Sequence, residues 1–322
     1  MRRKTGYFVI SLDFELEYGV ESWICDHKKN YEENIKGARK AVLKILDSFK
    51  KYDIHATWAV VGMLLGENRQ ELLSYLPEQF PGYENSELST YNYIERIGQN
   101  EEKDPVHFAL GLIRKIKDTG GQEIATHTFS HYYCEEMGQN RQEFEGDLHA
   151  ACRIMSDKLR LSPSTIIFPS NEVNRRYLSV LEKYKISIYR GKIWLYKSNR
   201  LMMKILRSAD TYTSIFGNHI YGIKHIKEGN FFNIKASAFL KPVNKSIPLL
   251  QYLKVKRIKK AMLKAAKKGK IYHLWWHPHN FGVHTFENIR MLEDILLYYT
   301  YLNSRYGYQS ANMKEISEAG ES

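Results

Sequence analysis

The chain has 322 residues, 43% of them hydrophobic, and a formal net charge of +12. That apolar share can bury a large core and excludes a disordered chain, and the length suits one α/β barrel domain. No apolar run reaches the ~18 residues a membrane-spanning helix needs, and no recognition motif accompanies the positive charge, which sets nucleic acid aside as a partner.

Residues 1–6 are basic, but the apolar run after them is broken by Asp13 and lacks a small-residue cleavage site, so 7–14 predicts a strand and not a signal peptide. If the strand continues to Glu15, Asp13 and Glu15 lie two apart and point to the same side. Paired carboxylates at a strand end suit a metal ligand plus a general base. The competing reading is a solvated turn, which is the expectation for Glu17 and Glu21. Over 31–52, Ile35, Ala38, Val42, Ile45, Leu46 and Phe49 recur at three- and four-residue intervals, predicting a helix with one buried stripe. Residues 55–61 read as a second strand. Residues 66–104 are polar, with Pro77, Pro81 and Gly82 as breakers, and read as an insertion over one end of a barrel, either a structured loop or a substrate lid.

Asp104 and Pro105 predict a helix start, with the helix over 106–117 and Gly120 beyond its end. The strand 121–126 then runs into His127 and His131. Residues four apart share a face of a helical turn and can grip one ion, although two histidines can equally be ordinary core or surface residues. A helix follows over 141–159, then strands over 165–168 and 186–189 flanking a helix over 174–184. Residues 254–268 form a strongly basic helix with an apolar stripe of Val255, Ile258, Met262 and Ala265. It reads as a solvated face, or as a surface for anionic lipid headgroups or a diphosphate-linked sugar. Along the last strand, 271–277, alternation puts His273, Trp275 and His277 on one face, with Pro278 ending the ladder. His277 at the strand end is the best-placed proton donor, while His273 reads as a hydrogen-bonded core histidine. Cys25, Cys134 and Cys152 are odd in number, widely spaced and without a CxxC pair, which predicts free thiols, a reducing compartment and, by default, the cytoplasm. The alternation of strands and helices predicts α/β.

Five blocks in order give the chain a family resemblance: Ser11-Leu12-Asp13-Phe14-Glu15, His55-Ala56-Thr57-Trp58-Ala59-Val60, His127-Thr128-Phe129-Ser130-His131, Phe168-Pro169-Ser170-Asn171 and Leu274-Trp275-Trp276-His277-Pro278. Together they resemble the polysaccharide deacetylases, relatives of chitin and peptidoglycan deacetylases, over about residues 5–285. The resemblance implies a distorted, incomplete (β/α) barrel in one catalytic domain over 1–322, with the insertion at about 66–104. It implies a divalent metal, zinc by expectation, on His127, His131 and a carboxylate of the first block. Many relatives have adjacent aspartates there; here Phe14 follows Asp13, so Glu15 is the substitute ligand and Asp13 the base, with the reverse roles open. Many also carry an Arg beside the Pro of the fourth block, where this chain has Ser170; Arg190 or Arg175 could supply that charge. His277 would protonate the leaving amine, and a backbone N–H near Tyr132 or Tyr133 would help hold the oxyanion. The implied substrate is an acylated, normally N-acetylated, amino sugar of a surface polysaccharide or glycolipid precursor, which can be carrier-linked; the basic charge of 254–268 adds the reading of a peripheral contact with the inner face of the membrane. A deformylase on a lipid-linked sugar and a non-catalytic carbohydrate-binding relative are the alternatives.

Overall fold

The apolar run Tyr7–Phe14 forms strand β1, seven of whose eight residues are buried. Buried on both faces, it sits in the middle of a mostly parallel sheet, where a near-continuous hydrophobic strand belongs. In the computed structural model, the described residues are 5–20, 31–192, 210–213 and 217–321; Glu21 and Cys25 lie outside them. Beside β1 lie β2 (Ala56–Val60), β3 (Gln122–Thr126), β4 (Thr165–Ile166) and β5 (Ile188–Tyr189) in that order, then β7 (Phe231–Asn233) and, at the edge, β6 (Lys227–Glu228). On its other side lie β9 (Ile271–Trp276) and β8 (Ala238–Phe239), and β10 (Gln309–Ser310) also pairs with β1. Only β6 and β7 pair antiparallel among these. The sheet curls into the incomplete (β/α) barrel expected, with helices around it.

The helices are α1 (Glu32–Tyr52), α2 (Arg69–Ser74), α3 (Leu110–Lys117), α4 (Arg141–Leu159), α5 (Leu178–Lys183), α6 (Pro248–Lys268), α7 (Thr285–Tyr306) and α8 (Met313–Glu321). Alternation along β1 divides its side chains between two layers. Ile10, Leu12 and Phe14 join the outer core with Ile35, Val42, Ile45 and Phe49 of α1, as the α1 periodicity predicts. Val9 faces the barrel interior, where Ala59, Ala125, Ile167 and Ile188 meet Met313 and Ile316 of α8. Each buried Val, Leu, Ile, Met or Phe side chain among these contributes roughly 1.5–3 kcal/mol. Ser11 and Asp13 share the inward side of β1, so the apolar plug lies below them and the polar residues lie at the carboxyl ends of the strands.

Strand register fixes what gathers there. Phe14 is level with Val60, Val60 with Thr126, Thr126 with Ile166, and Ile166 with Tyr189. One residue further along these strands come Glu15, His127 and Arg190. On the other side Leu12 is level with Trp276, so Asp13 and His277 are neighbours.

Several boundaries differ from those read in the sequence. The helix expected over 106–117 begins at Leu110, and Asp104 is not its cap. The Asp104 carboxylate instead accepts the Gly98 N–H at 2.7 Å and bonds His107 Nδ1 at 2.8 Å, holding residues 104–108 in a turn. The strands expected over 165–168 and 186–189 shrink to two residues each; Pro169 lacks an N–H for continued pairing, and the chain turns there. The helix over 174–184 starts as a 3₁₀ turn, Arg175–Tyr177, capped by the Asn174 side chain, before α5. Residues 66–104 hold α2 and two 3₁₀ turns, tied to α4 by the Tyr75–Asp157 hydrogen bond of 2.8 Å and by Arg153 bonding Ser74 O at 2.6 Å. Cys134 and Cys152 are free thiols.

Candidate active site

Arg190 follows β5 into the barrel, and its side chain has no solvent exposure. Nη1 and Nη2 grip both oxygens of Asp13 at 2.7 and 2.6 Å. Nε donates to Asn171 Oδ1 at 2.6 Å, and the guanidinium lies 4.4 Å from the centre of the Trp275 ring. Nη1 also donates to Ser11 Oγ at 2.9 Å, and Ser11 Oγ lies 2.8 Å from His273 Nε2. The Ile234 carbonyl, 3.2 Å from His273 Nδ1, can only accept, so that nitrogen carries the proton and Nε2 accepts from Ser11. His273 is thus the hydrogen-bonded core residue expected, and burial pushes its pKa down to about 3. Arg175, the other candidate for the missing cation, is largely exposed and pairs with Glu228.

Burial alone would raise the Asp13 pKa, but the charges of Arg190, His127 and His277 overcome it and hold the carboxyl below its usual range. A group with a depressed folded pKa stabilises the protein above the ordinary carboxylate range and loses that contribution as pH falls through the folded value. Arg190→Met leaves a buried carboxylate without its partner, and at neutral pH the expected cost is about 3–5 kcal/mol. Denaturant unfolding should show most of that loss cancelled in the Arg190→Met/Asp13→Asn double variant; a double variant as unstable as the single one would show that the ion pair is not the cause.

Glu15 turns to the other imidazoles. Its Oε1 is 2.8 Å from His277 Nε2 and its Oε2 is 3.4 Å from His131 Nε2. His277 Nε2 is also 3.8 Å from Asp13 Oδ2, so the strand-end histidine stands between the two carboxylates. Burial would depress the His277 pKa, yet the charge and hydrogen bond of Glu15 leave it raised. His279 stacks on His277 with ring centres 4.9 Å apart, and burial lowers its pKa to about 3.

His127 and His131 are buried, with ring centres 5.0 Å apart. The Ile167 carbonyl, 2.7 Å from His127 Nδ1, holds the proton there and leaves the Nε2 lone pair free to bind. Burial keeps both imidazoles neutral, with the His131 pKa lowered to about 4. One donor atom from each of Glu15, His127 and His131 lies within 4.8 Å of the others. Tetrahedral bonds of about 2.1 Å separate donors by about 3.4 Å, so this neutral-imidazole and carboxylate set suits a zinc-like ion. Gly19, at φ +83°, passes so close that a Cβ there would lie 2.5 Å from His131 Cε1, and only glycine fits.

The loop carrying both histidines hangs on a residue the sequence reading did not single out. Asp147 of α4 accepts the Phe129 N–H at 2.7 Å, the Ser130 N–H and hydroxyl, and the Tyr91 hydroxyl at 3.1 Å. Its one sequence signal is an acid on the apolar face between Phe144 and Leu148. Burial raises its pKa to about 6 despite those donors. Asp147→Ala strands several buried donors and should cost about 3 kcal/mol or more in denaturant unfolding; an unchanged midpoint would mean that other contacts hold the loop. Asn171 and Ser11, present in the quoted motifs without a role, emerge as the supports of Arg190. In the stretch read as offering a backbone oxyanion donor, the Tyr132 and Tyr133 N–H groups are already engaged: they donate to Thr128 Oγ1 at 2.7 Å and Tyr83 Oη at 2.8 Å. Packing of the loop against its neighbours consumes them.

Residues 36–189 match the polysaccharide deacetylase family model. Among solved structures, a provisionally assigned polysaccharide deacetylase from Mycobacterium smegmatis is 14% identical, with 99% of this chain aligned to 91% of that one at a TM-score of 0.60. A family 4 carbohydrate esterase pseudoenzyme from Bacillus anthracis is 11% identical, covering 98% of this chain and 66% of that one, at a TM-score of 0.45. A family 4 acetyl xylan esterase from Clostridium thermocellum, in complex with a cobalt ion, is 12% identical, covering 97% and 91%, at 0.44. These likenesses bear on the fold alone, and the mycobacterial structure carries that weight. No curated protein matches the sequence. The family-model match over residues 36–189, together with the incomplete barrel, supports a polysaccharide deacetylase family for this chain.

Proposed function

We propose that this protein removes the acyl group, normally acetyl, from the nitrogen of an amino sugar in a metal-dependent hydrolysis. The observation that carries the reading is the buried Asp13 held by Arg190 beside the Glu15, His127 and His131 donors. Those three residues would hold the ion, which supplies carbonyl polarisation and acidifies water when bound. Asp13, kept ionised by the guanidinium, takes the proton from the attacking water. Two oxygens fixed by two hydrogen bonds leave it little rotational freedom, so its basic lone pairs are already aimed. The C–N bond then breaks, and His277 delivers a proton to the departing nitrogen, because an amide anion is too basic to leave alone. Its raised pKa suits a group that must carry that proton near neutral pH. The products are a free amino sugar and a carboxylate, acetate for the expected substrate.

The charge that Ser170 does not supply comes from Arg190, from a different strand, which removes one motive for a non-catalytic reading. In this assignment Glu15 replaces the second aspartate that many relatives carry as ligand. Release of acetate from N-acetylated amino-sugar oligosaccharides by zinc-loaded protein, and of formate from N-formyl analogues, tests the reading. Chelator-sensitive release supports it, whereas metal-loaded protein inert on every acylated amino sugar tried favours the non-catalytic alternative.

A further inference from the structure

The outer face of α6 changes character along its length. Leu249, Tyr252, Lys256, Lys260, Lys264 and Lys267 fall on one side of the helix at 3.6 residues per turn. Leu249 and Tyr252 are 67% and 60% exposed, and Ile247 just before the helix is 43% exposed. Parallel strands and the helices that follow them place α6 and α7 with their starts at the carboxyl ends of β8 and β9, the end where Asp13 and His277 lie. At the start of α7, Phe286 is 75% exposed. The Lys245–Glu287 ion pair of 2.5 Å and the Val243 N–H to Asn288 Oδ1 hydrogen bond of 2.7 Å hold the two helix starts together. An apolar tip thus stands on the rim of the candidate active site.

The charges beneath the tip have one sign. The segment Pro248–Lys268 carries eight Lys and Arg and no acid. Lys254 is turned inward onto the Lys241 and Pro242 carbonyls, and Arg257 inward onto Asp210. Lys256, Lys260, Lys264, Lys267 and Lys268 remain exposed. On the adjoining face of α7, Glu287 and Asp294 are paired with Lys245 and Lys259, so they do not offset these lysines. At 1.5 Å per residue, Lys256 and Lys260 follow Leu249 by about 10 and 16 Å along the axis. That spacing puts cations at headgroup depth when the tip enters the acyl boundary of a bilayer and the helix leans over.

We infer that the starts of α6 and α7 form a docking surface for an anionic lipid bilayer, with Ile247, Leu249, Tyr252 and Phe286 inserting and Lys256 and Lys260 meeting the headgroup phosphates. The occupant follows from charge complementarity: an exposed apolar tip backed by uncompensated lysines matches a negative, apolar-cored surface and repels a second copy of itself. No helix among the described residues is long and apolar enough to cross a membrane, so the contact is peripheral. Docked this way, the barrel mouth lies at the membrane, where a lipid-carried sugar would present itself.

The test is sedimentation of the full chain with vesicles of phosphatidylcholine alone or with about 30% phosphatidylglycerol, in about 0.1 M salt. The expected result is at least about tenfold stronger partitioning to the anionic vesicles. Leu249→Ser/Phe286→Ser and, separately, Lys256→Glu/Lys260→Glu should each weaken it about tenfold or more, with unchanged thermal midpoints showing intact folds. Lys115→Glu/Lys117→Glu on α3, the same charge change elsewhere, should bind as the unaltered protein does. Three outcomes would overturn the inference: undiminished binding by the apolar-tip variant, equal loss in the α3 variant, or self-association with no vesicle binding. Because the readout is binding and not turnover, it stands or falls separately from the catalytic reading.

Discussion

Asp13→Asn is expected to lower acetate release by about 10²–10⁴-fold, the range over which a positioned general base contributes. The amide keeps the shape of the carboxylate and can still accept one hydrogen bond from Arg190, so the barrel should remain folded. It cannot take a proton at neutral pH. The substitution also leaves an unpaired guanidinium in a fully buried position, so folding must be checked by circular dichroism beside the rate. Metal content separates the roles of the two acids. If Glu15 is the ligand, Asp13→Asn keeps its ion and loses turnover, whereas Glu15→Gln loses both. A folded Asp13→Asn protein that turns over at the unaltered rate would remove Asp13 from the mechanism, and one that loses its metal would exchange the roles proposed for Asp13 and Glu15.

The parts of the site that the sequence made legible are those with a local cause. Asp13 and Glu15 share a side because strand side chains alternate, and His127 and His131 follow a short strand, four positions apart in one loop. The alternation His273, Trp275, His277 likewise follows from the strand, and the first histidine's place in the core matches its depth. Long periodic helices such as α1 and α4 were also plain, since their stripes extend over 21 and 19 residues. What depends on contacts between distant segments was less legible. Arg190 could be named beside Arg175 but not chosen, because the choice turns on a register linking β1 to β5 through three intervening strands. Asp147 is 18 positions from Phe129, and only the packing of α4 behind the loop shows why a helix should bury an acid. The start of α3 was misplaced because Asp104 and Pro105 serve a turn built with Gly98 and His107, with the same residue types that open helices. The short strands β6, β7 and β8 carry too few residues for any periodicity to appear.

Removing both imidazoles, in His127→Ala/His131→Ala, is expected to abolish chelator-sensitive turnover and the stabilisation that zinc gives the unaltered protein. A carboxylate alone makes a weak site, since the softer nitrogen donors supply most of the preference for zinc. An ion binding only the folded chain stabilises it by about 2.7 kcal/mol when its free concentration is 100 times the dissociation constant. The thermal midpoint of the unaltered protein should therefore rise with added zinc and that of the variant should not. Both histidines are buried with lowered pKa values, so their neutral ligand forms prevail at pH 7 without a proton having to leave. A variant whose midpoint still rises with zinc would place the ion on other side chains.

The most direct measurement is the metal content of the purified protein beside that of His127→Ala/His131→Ala, after exhaustive dialysis. About one zinc or similar divalent ion per chain, absent from the variant, is the predicted result. No bound metal in either protein, even after zinc loading, would contradict the account and leave a carbohydrate-binding relative as the better description.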